Sequence, residues 1–117
     1  MSNLTGRAPF QKGAKLISKP LRDASRGATC TLRIPGVCNG NSETVVGCHV
    51  NITGFHGMAM KAPDLFIIDG CDRCHRIMDS RDKWAECGLG YDDILRALME
   101  SQTRRLTAGL ITVKGER

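Results

Sequence analysis

Apolar residues in the first seventeen positions follow no period, and Gly6, Pro9 and Gly13 interrupt any regular element, so residues 1–17 read as a flexible arm. Patterning starts after that. Ser18 followed by Pro20 signals a helix running through "LRDASR", which Gly27 closes. "TCTLRIPGVC" holds a strand candidate over 31–34, broken by a Pro35-Gly36 turn that returns Cys38 towards Cys30. "NGNSE" is a loop, and the β-branched "TVVGCHV" is a strand with His49 near its end. Residues 51–64, with two glycines and a proline, form a loop long enough to be functional. "LFIID" is a second compact strand, leading into Cys71.

Two helices are expected beyond it. One runs from 72 to about 82. The longer, 91 to about 107, carries Asp92 and Asp93 in its first turn and Ile94, Leu95, Leu98 and Met99 on one apolar face, and Gly109 ends it. "LITV" at 110–113 reads as a final strand. Strands and helices in separate runs make an α+β class, with residues 18–117 as one domain behind the 1–17 arm.

With 117 residues and only 4% aromatic side chains, the core is modest, and a metal clip would be a useful second source of stability. The chain carries 17 Lys+Arg against 12 Asp+Glu, and before Cys30 the balance is six basic residues to one acidic, a distribution suited to phosphates or to a solvated leader. No apolar run reaches the roughly 20 residues needed to span a bilayer, and Met1 is followed by polar residues, so the expected location is the cytoplasm with no membrane partner. In that reducing compartment the six cysteines favour metal ligation over disulfides.

"GCDRCHRIMDS" supplies the sharpest pattern. Cys71 and Cys74 have the two-residue spacing that lets both sulfurs reach one metal, and Cys30 and Cys38 complete a tetrathiolate Zn2+ site; the alternative is a set of buried thiols. Cys48 and Cys87 fall outside it and read as free core thiols. A closed four-sulfur site is structural, so any catalysis lies elsewhere. His49 at a strand end and His75 at a helix start are candidates to share a cleft, one binding a divalent cation and the other deprotonating water; as isolated residues they read more readily as partly buried structural histidines. His56 is a loop histidine, more readily solvated than substrate-bound.

Taken together, the Cys-x7-Cys pair, "CHV", "APDL" and "CDRCHRIMD" resemble the HNH (His-Me finger) endonucleases, and "CTLRIPGVCNGNSET" with "KAPDL" is more closely similar to the YbcO-like nuclease family of lambdoid prophages. The resemblance covers roughly residues 22–82 and implies a small zinc-stabilised ββα-metal (HNH-like) domain with an additional C-terminal helix and a basic N-terminal arm. It implies His49 as general base, His75 as ligand of a catalytic Mg2+ or Mn2+, and Asp64 in the place of the family's central Asn, orienting the base histidine. Cys48 stands where many of these enzymes carry a metal-binding Asp, and Asp79, four residues after His75 on the same helical side, is the substitute ligand. Arg33, Lys61, Arg73, Arg76 and Arg81 are the candidate phosphate contacts.

The expected function is a metal-dependent DNA endonuclease of phage or prophage type, acting in the cytoplasm of a bacterial host cell. The alternative is a catalytically inactive zinc-stabilised nucleic-acid-binding or recombination adaptor module. DNA, phage recombination or replication proteins and a second copy of the chain are the expected partners.

Overall fold

The computed structural model describes residues 16–51 and 62–115; Lys61, His56 and nearly all of the 1–17 arm lie outside them. The element order is α1 (Lys19–Asp23), β1 (Val46–His49), β2 (Ile67–Gly70), α2 (Asp72–Met78), α3 (Trp84–Cys87) and α4 (Tyr91–Thr107), with single 3-10 turns at Ser42–Thr44 and Arg81–Lys83.

The sheet is one antiparallel pair, with Val46 opposite Gly70 and His49 opposite Ile67. A Val50 N–H to Phe66 carbonyl bond of 3.0 Å carries the ladder one step further. All four residues of β2 are buried, because one side receives the thiol-bearing loop and the other receives α4. Gly70 is required by that closeness: a Cβ there would stand 2.9 Å from the Cys48 sulfur and 3.1 Å from Leu32.

α1 begins where the Ser-x-Pro signal places it, with the Ser18 hydroxyl accepting from the Leu21 N–H at 3.3 Å. α4 occupies the expected span. Its first turn is fixed by the Asp93 carboxylate, which accepts from the Gly90 N–H at 2.9 Å, and Gly109 follows its end with φ +77°.

Four expectations are corrected. Residues 31–34 make no strand; the segment spends a single backbone bond on the sheet, from Thr31 N–H to the Asp69 carbonyl at 2.7 Å, and then bends to bring Cys38 back. "LITV" is bend and coil, its Leu110 and Ile111 N–H groups turned back onto the Arg105 carbonyl at the end of α4. α2 stops at Met78 rather than near 82, because Asp79 and Ser80 close its last turn and a 3-10 turn follows. Finally, the buried stripe of α4 is Ile94, Ala97, Ser101 and Arg105, whereas Leu95 and Met99 are exposed.

That stripe carries polar residues because they are fully satisfied. Arg105 donates to the Leu21 carbonyl at 3.0 Å, to Ser25 Oγ at 2.8 Å and to Asp69 Oδ1 at 2.9 Å. Asp69 also accepts from Ser25 Oγ at 2.7 Å and from Arg104 at 3.1 Å. Ser101 Oγ accepts from the Asp69 N–H at 3.0 Å. Burial of a charge is tolerated when it is paired and hydrogen-bonded in this way, and the network joins α1, β2 and α4.

Candidate active site

Two adjoining centres are built on the ββα unit. The first is the thiol cluster. Cys71 is the N-cap of α2, its sulfur accepting from the Cys74 N–H at 3.4 Å, so the two-residue spacing places both sulfurs at the helix start. The Pro35-Gly36 turn, with Gly36 at φ +75° and the Cys38 N–H bonded to the Ile34 carbonyl at 2.9 Å, folds the other pair onto them.

The ligand atoms of Cys30, Cys38, Cys71 and Cys74 all lie within 4.8 Å of one another, and the Cys38 and Cys71 sulfurs are 4.0 Å apart. Four thiolates at about 2.3 Å from a tetrahedral Zn2+ would sit roughly 3.8 Å apart, so the donor set and its spacing fit that ion. A hydrogen bond from Cys74 draws the Cys30 thiol well below its ordinary value, against the opposing effect of burial, with the backbone N–H groups of Arg33 and Cys71 adding to it. That same bond holds the donor, Cys74, above its ordinary value.

α4 secures the loop from outside. Arg96 donates to the Thr31 and Leu32 carbonyls at 2.8 and 3.2 Å, and both guanidinium arms of Arg33 meet Glu100 at 2.9 Å. This fork holds Arg33 in its left-handed conformation, φ +46°, and with Arg96 pulls the Glu100 carboxyl down to about 2.

The second centre lies at the loop end of the β hairpin, where residues 50–66 connect the two strands. His49 is the last residue of β1, and Asp64 precedes β2 by three positions, so the antiparallel register brings them together. His49 Nε2 is 2.8 Å from Asp64 Oδ1. The other carboxylate oxygen accepts from the Ser18 N–H at 2.7 Å and from Arg22 at 2.6 Å, both supplied by the α1 segment. Burial alone would raise the Asp64 carboxyl, but the bonds from His49, Ser18 and Arg22 outweigh it and hold the group below its ordinary value. A lasting carboxylate beside Nε2 selects the tautomer with the proton on that nitrogen and leaves Nδ1 as the acceptor.

On α2, His75 Nε2 and Asp79 Oδ2 are 3.1 Å apart, one helical turn from each other on the same side. The two atoms are at hydrogen-bonding distance, an i,i+4 pair on one side of the helix. Asp79 and His49 line a common cavity of about 370 Å³ together with Arg81, Trp84 and Tyr91, whereas His75 is not among its lining residues.

Cys48, next to His49, is fully buried and burial pushes its thiol up, so the position before the histidine offers no ligand to the cavity. Cys87 is partly buried against the core. Among the candidate phosphate contacts, Arg33 is occupied by Glu100, and Arg73, Arg76 and Arg81 are exposed without an ion pair among the described residues. Arg22 was not anticipated as a support of the histidine, since nothing in its local sequence points to residue 64. The cavity wall was also missed, although the chain's single Trp and single Tyr, seven residues apart beside Arg81, were a signal available in so aromatic-poor a sequence.

A protein-family model described as "Putative nuclease YbcO" matches residues 19–113. The chain is 41% identical over 91 residues to "Putative nuclease YbcO" of Escherichia coli (strain K12), covering 78% of this chain and 95% of that protein. The same figures hold for "Putative nuclease ybcO" of Enterobacteria phage 82. A solved structure described as that of "a putative bacteriophage protein from Escherichia coli str. K-12 substr. MG1655" superimposes with a TM-score of 0.61 at 36% identity, over 77% of this chain and all of that one.

Proposed function

The chain belongs to the YbcO nuclease family, and from that premise we propose that it is a metal-dependent DNA endonuclease of the HNH (His-Me finger) type with His49 as its general base. The observation that carries this reading is the His49–Asp64 pair at 2.8 Å, opening on the cavity that Asp79 also lines. The order β1, β2, α2, with one histidine ending the first strand and another in the helix, supports the superfamily assignment.

In this mechanism Asp64 fixes the orientation and the tautomer of the imidazole, with the other ring nitrogen as the proton acceptor. A water within reach of that nitrogen loses its proton to His49, the resulting hydroxide attacks phosphorus, and the bond to the leaving oxygen breaks. His75 and Asp79 would hold Mg2+ or Mn2+, which supplies charge neutralisation at the phosphoryl and leaving oxygens. Arg73, Arg76 and Arg81, exposed on and just after α2, would meet neighbouring phosphates; Lys61 is proposed with them from sequence alone. The tetrathiolate Zn2+ takes no part in the chemistry, since it leaves no open position.

Burial of Cys48 favours a second reading, a zinc-stabilised nucleic-acid-binding module without catalysis, because one ligand position common in HNH enzymes is absent. The two are separated by incubating zinc-loaded protein with Mg2+ or Mn2+ and linear, supercoiled, single-stranded and branched DNA. The nuclease reading expects cleavage that falls by about 10²- to 10⁴-fold in His49→Ala. The binding-module reading expects no cleavage, with DNA affinity that weakens steeply with salt and is indifferent to that substitution.

A further inference from the structure

The wall of the catalytic cavity has a composition that phosphodiester chemistry does not require. Trp84 and Tyr91 meet edge to face, with ring centroids 5.3 Å apart, and the Arg81 guanidinium lies 4.4 Å from the centre of the first ring and 4.9 Å from the second. Trp84 is held in place by its Nε1–H, which donates to the Ile77 and Met78 carbonyls at 3.1 Å each. Tyr91 is 53% exposed, and the Arg81 guanidinium makes no hydrogen bond or ion pair among the described residues.

A rigid indole, an open phenol ring and a guanidinium plane with unused donors form a surface for a flat ligand that carries acceptors. A protein with a general base on one side of such a cavity and this surface on the other can hold a phosphodiester and the base attached to it at once. We propose that the Arg81–Trp84–Tyr91 wall is a nucleobase site, which takes an unpaired base of single-stranded nucleic acid by stacking and presents the adjoining phosphodiester to His49. The presentation to His49 rests on the nuclease reading; the stacking does not. Stacking of this kind reads every base by its flat face, so the site would select unpaired strands rather than a sequence.

Trp84 is the only tryptophan of the chain, so its fluorescence reports on this wall alone. The test titrates zinc-loaded full-length protein, without added Mg2+ or Mn2+, with a short mixed-sequence single strand and with an abasic strand carrying the same number of phosphates. The base-bearing strand is expected to quench Trp84 and to bind about 5- to 100-fold more tightly than the abasic one. Tyr91→Ala, at an exposed position, is expected to remove most of that difference while leaving abasic binding unchanged, and Tyr91→Phe, which keeps the ring, is expected to retain it.

Equal binding of the two strands with unchanged Trp84 emission would overturn the nucleobase site, as would equal quenching by a blunt-ended duplex of two separate, fully paired strands. Wild-type protein that cleaves base-bearing and abasic strands alike, with no quenching, overturns this site and leaves the nuclease reading standing. Quenching by protein that cleaves nothing supports the site and overturns the nuclease reading alone.

Discussion

Asp64 faces three donors from two separate parts of the chain, and its consequence for His49 is positional rather than chemical. Asp64→Asn keeps the side-chain shape but no longer fixes which ring nitrogen carries the proton, and cleavage is expected to fall by about 10- to 100-fold, the usual cost of losing an orienting partner. The same substitution has a signature in acid. A carboxyl whose folded value lies below its ordinary 3.8 adds stability that is complete above that ordinary value and is lost as pH falls through the lower folded value. Thermal unfolding followed downwards from pH ~5 should therefore show the wild type losing its advantage over Asp64→Asn below pH ~4. The partner of His49 was legible from motif resemblance alone; Arg22 and Ser18 were not, because pairings across more than forty residues leave no local trace.

α4 shows what elements can and cannot say in sequence. Its limits were readable from acidic residues in the first turn and from a terminating Gly, which act locally. Its inner face was not, because apolar periodicity pointed to Leu95 and Met99, while burial selects Ser101 and Arg105 through partners on α1 and β2. Removing the counter-charge exposes the difference. Asp69→Ala leaves the 2%-exposed Arg105 without its carboxylate and is expected to destabilise by about 3–5 kcal/mol in denaturant unfolding. Leu95→Ala, on the solvent side of the same helix, is expected to change stability by less than about 0.5 kcal/mol. The short apolar run at 110–113 misled for a related reason: β propensity needs a strand to pair with, and here the Leu110 and Ile111 N–H groups bond back to the Arg105 carbonyl instead.

At the scale of the molecule, a two-stranded sheet is marginal by itself, and the cysteine cluster ties the loop at 30–38 to the start of α2. Binding of Zn2+ there is folding free energy. Stripping the ion with a chelator is expected to lower the melting temperature and broaden the transition, with Cys71→Ser doing the same and Cys87→Ser, outside the cluster, leaving both metal content and melting close to wild type; metal analysis and circular dichroism check this. The thiol clip was the most legible part of the fold because spacing encodes it directly. The cavity was the least legible, being assembled from β1, α2, a 3-10 turn and both later helices. No helix among the described residues is long and apolar enough to cross a membrane.

Between residues 71 and 79 the chain counts as well as folds. Cys71 caps α2, Cys74 follows one turn on, and His75 and Asp79 meet one turn beyond. Each residue added to a helix rotates everything after it by about 100°. An in-frame codon gained or lost between His75 and Asp79 would therefore part the imidazole from the carboxylate, and one between Cys71 and Cys74 would part the sulfurs. Genetic drift can substitute here but cannot lengthen or shorten, so gene variants that remain functional should hold this interval constant even where the loops on either side differ in length.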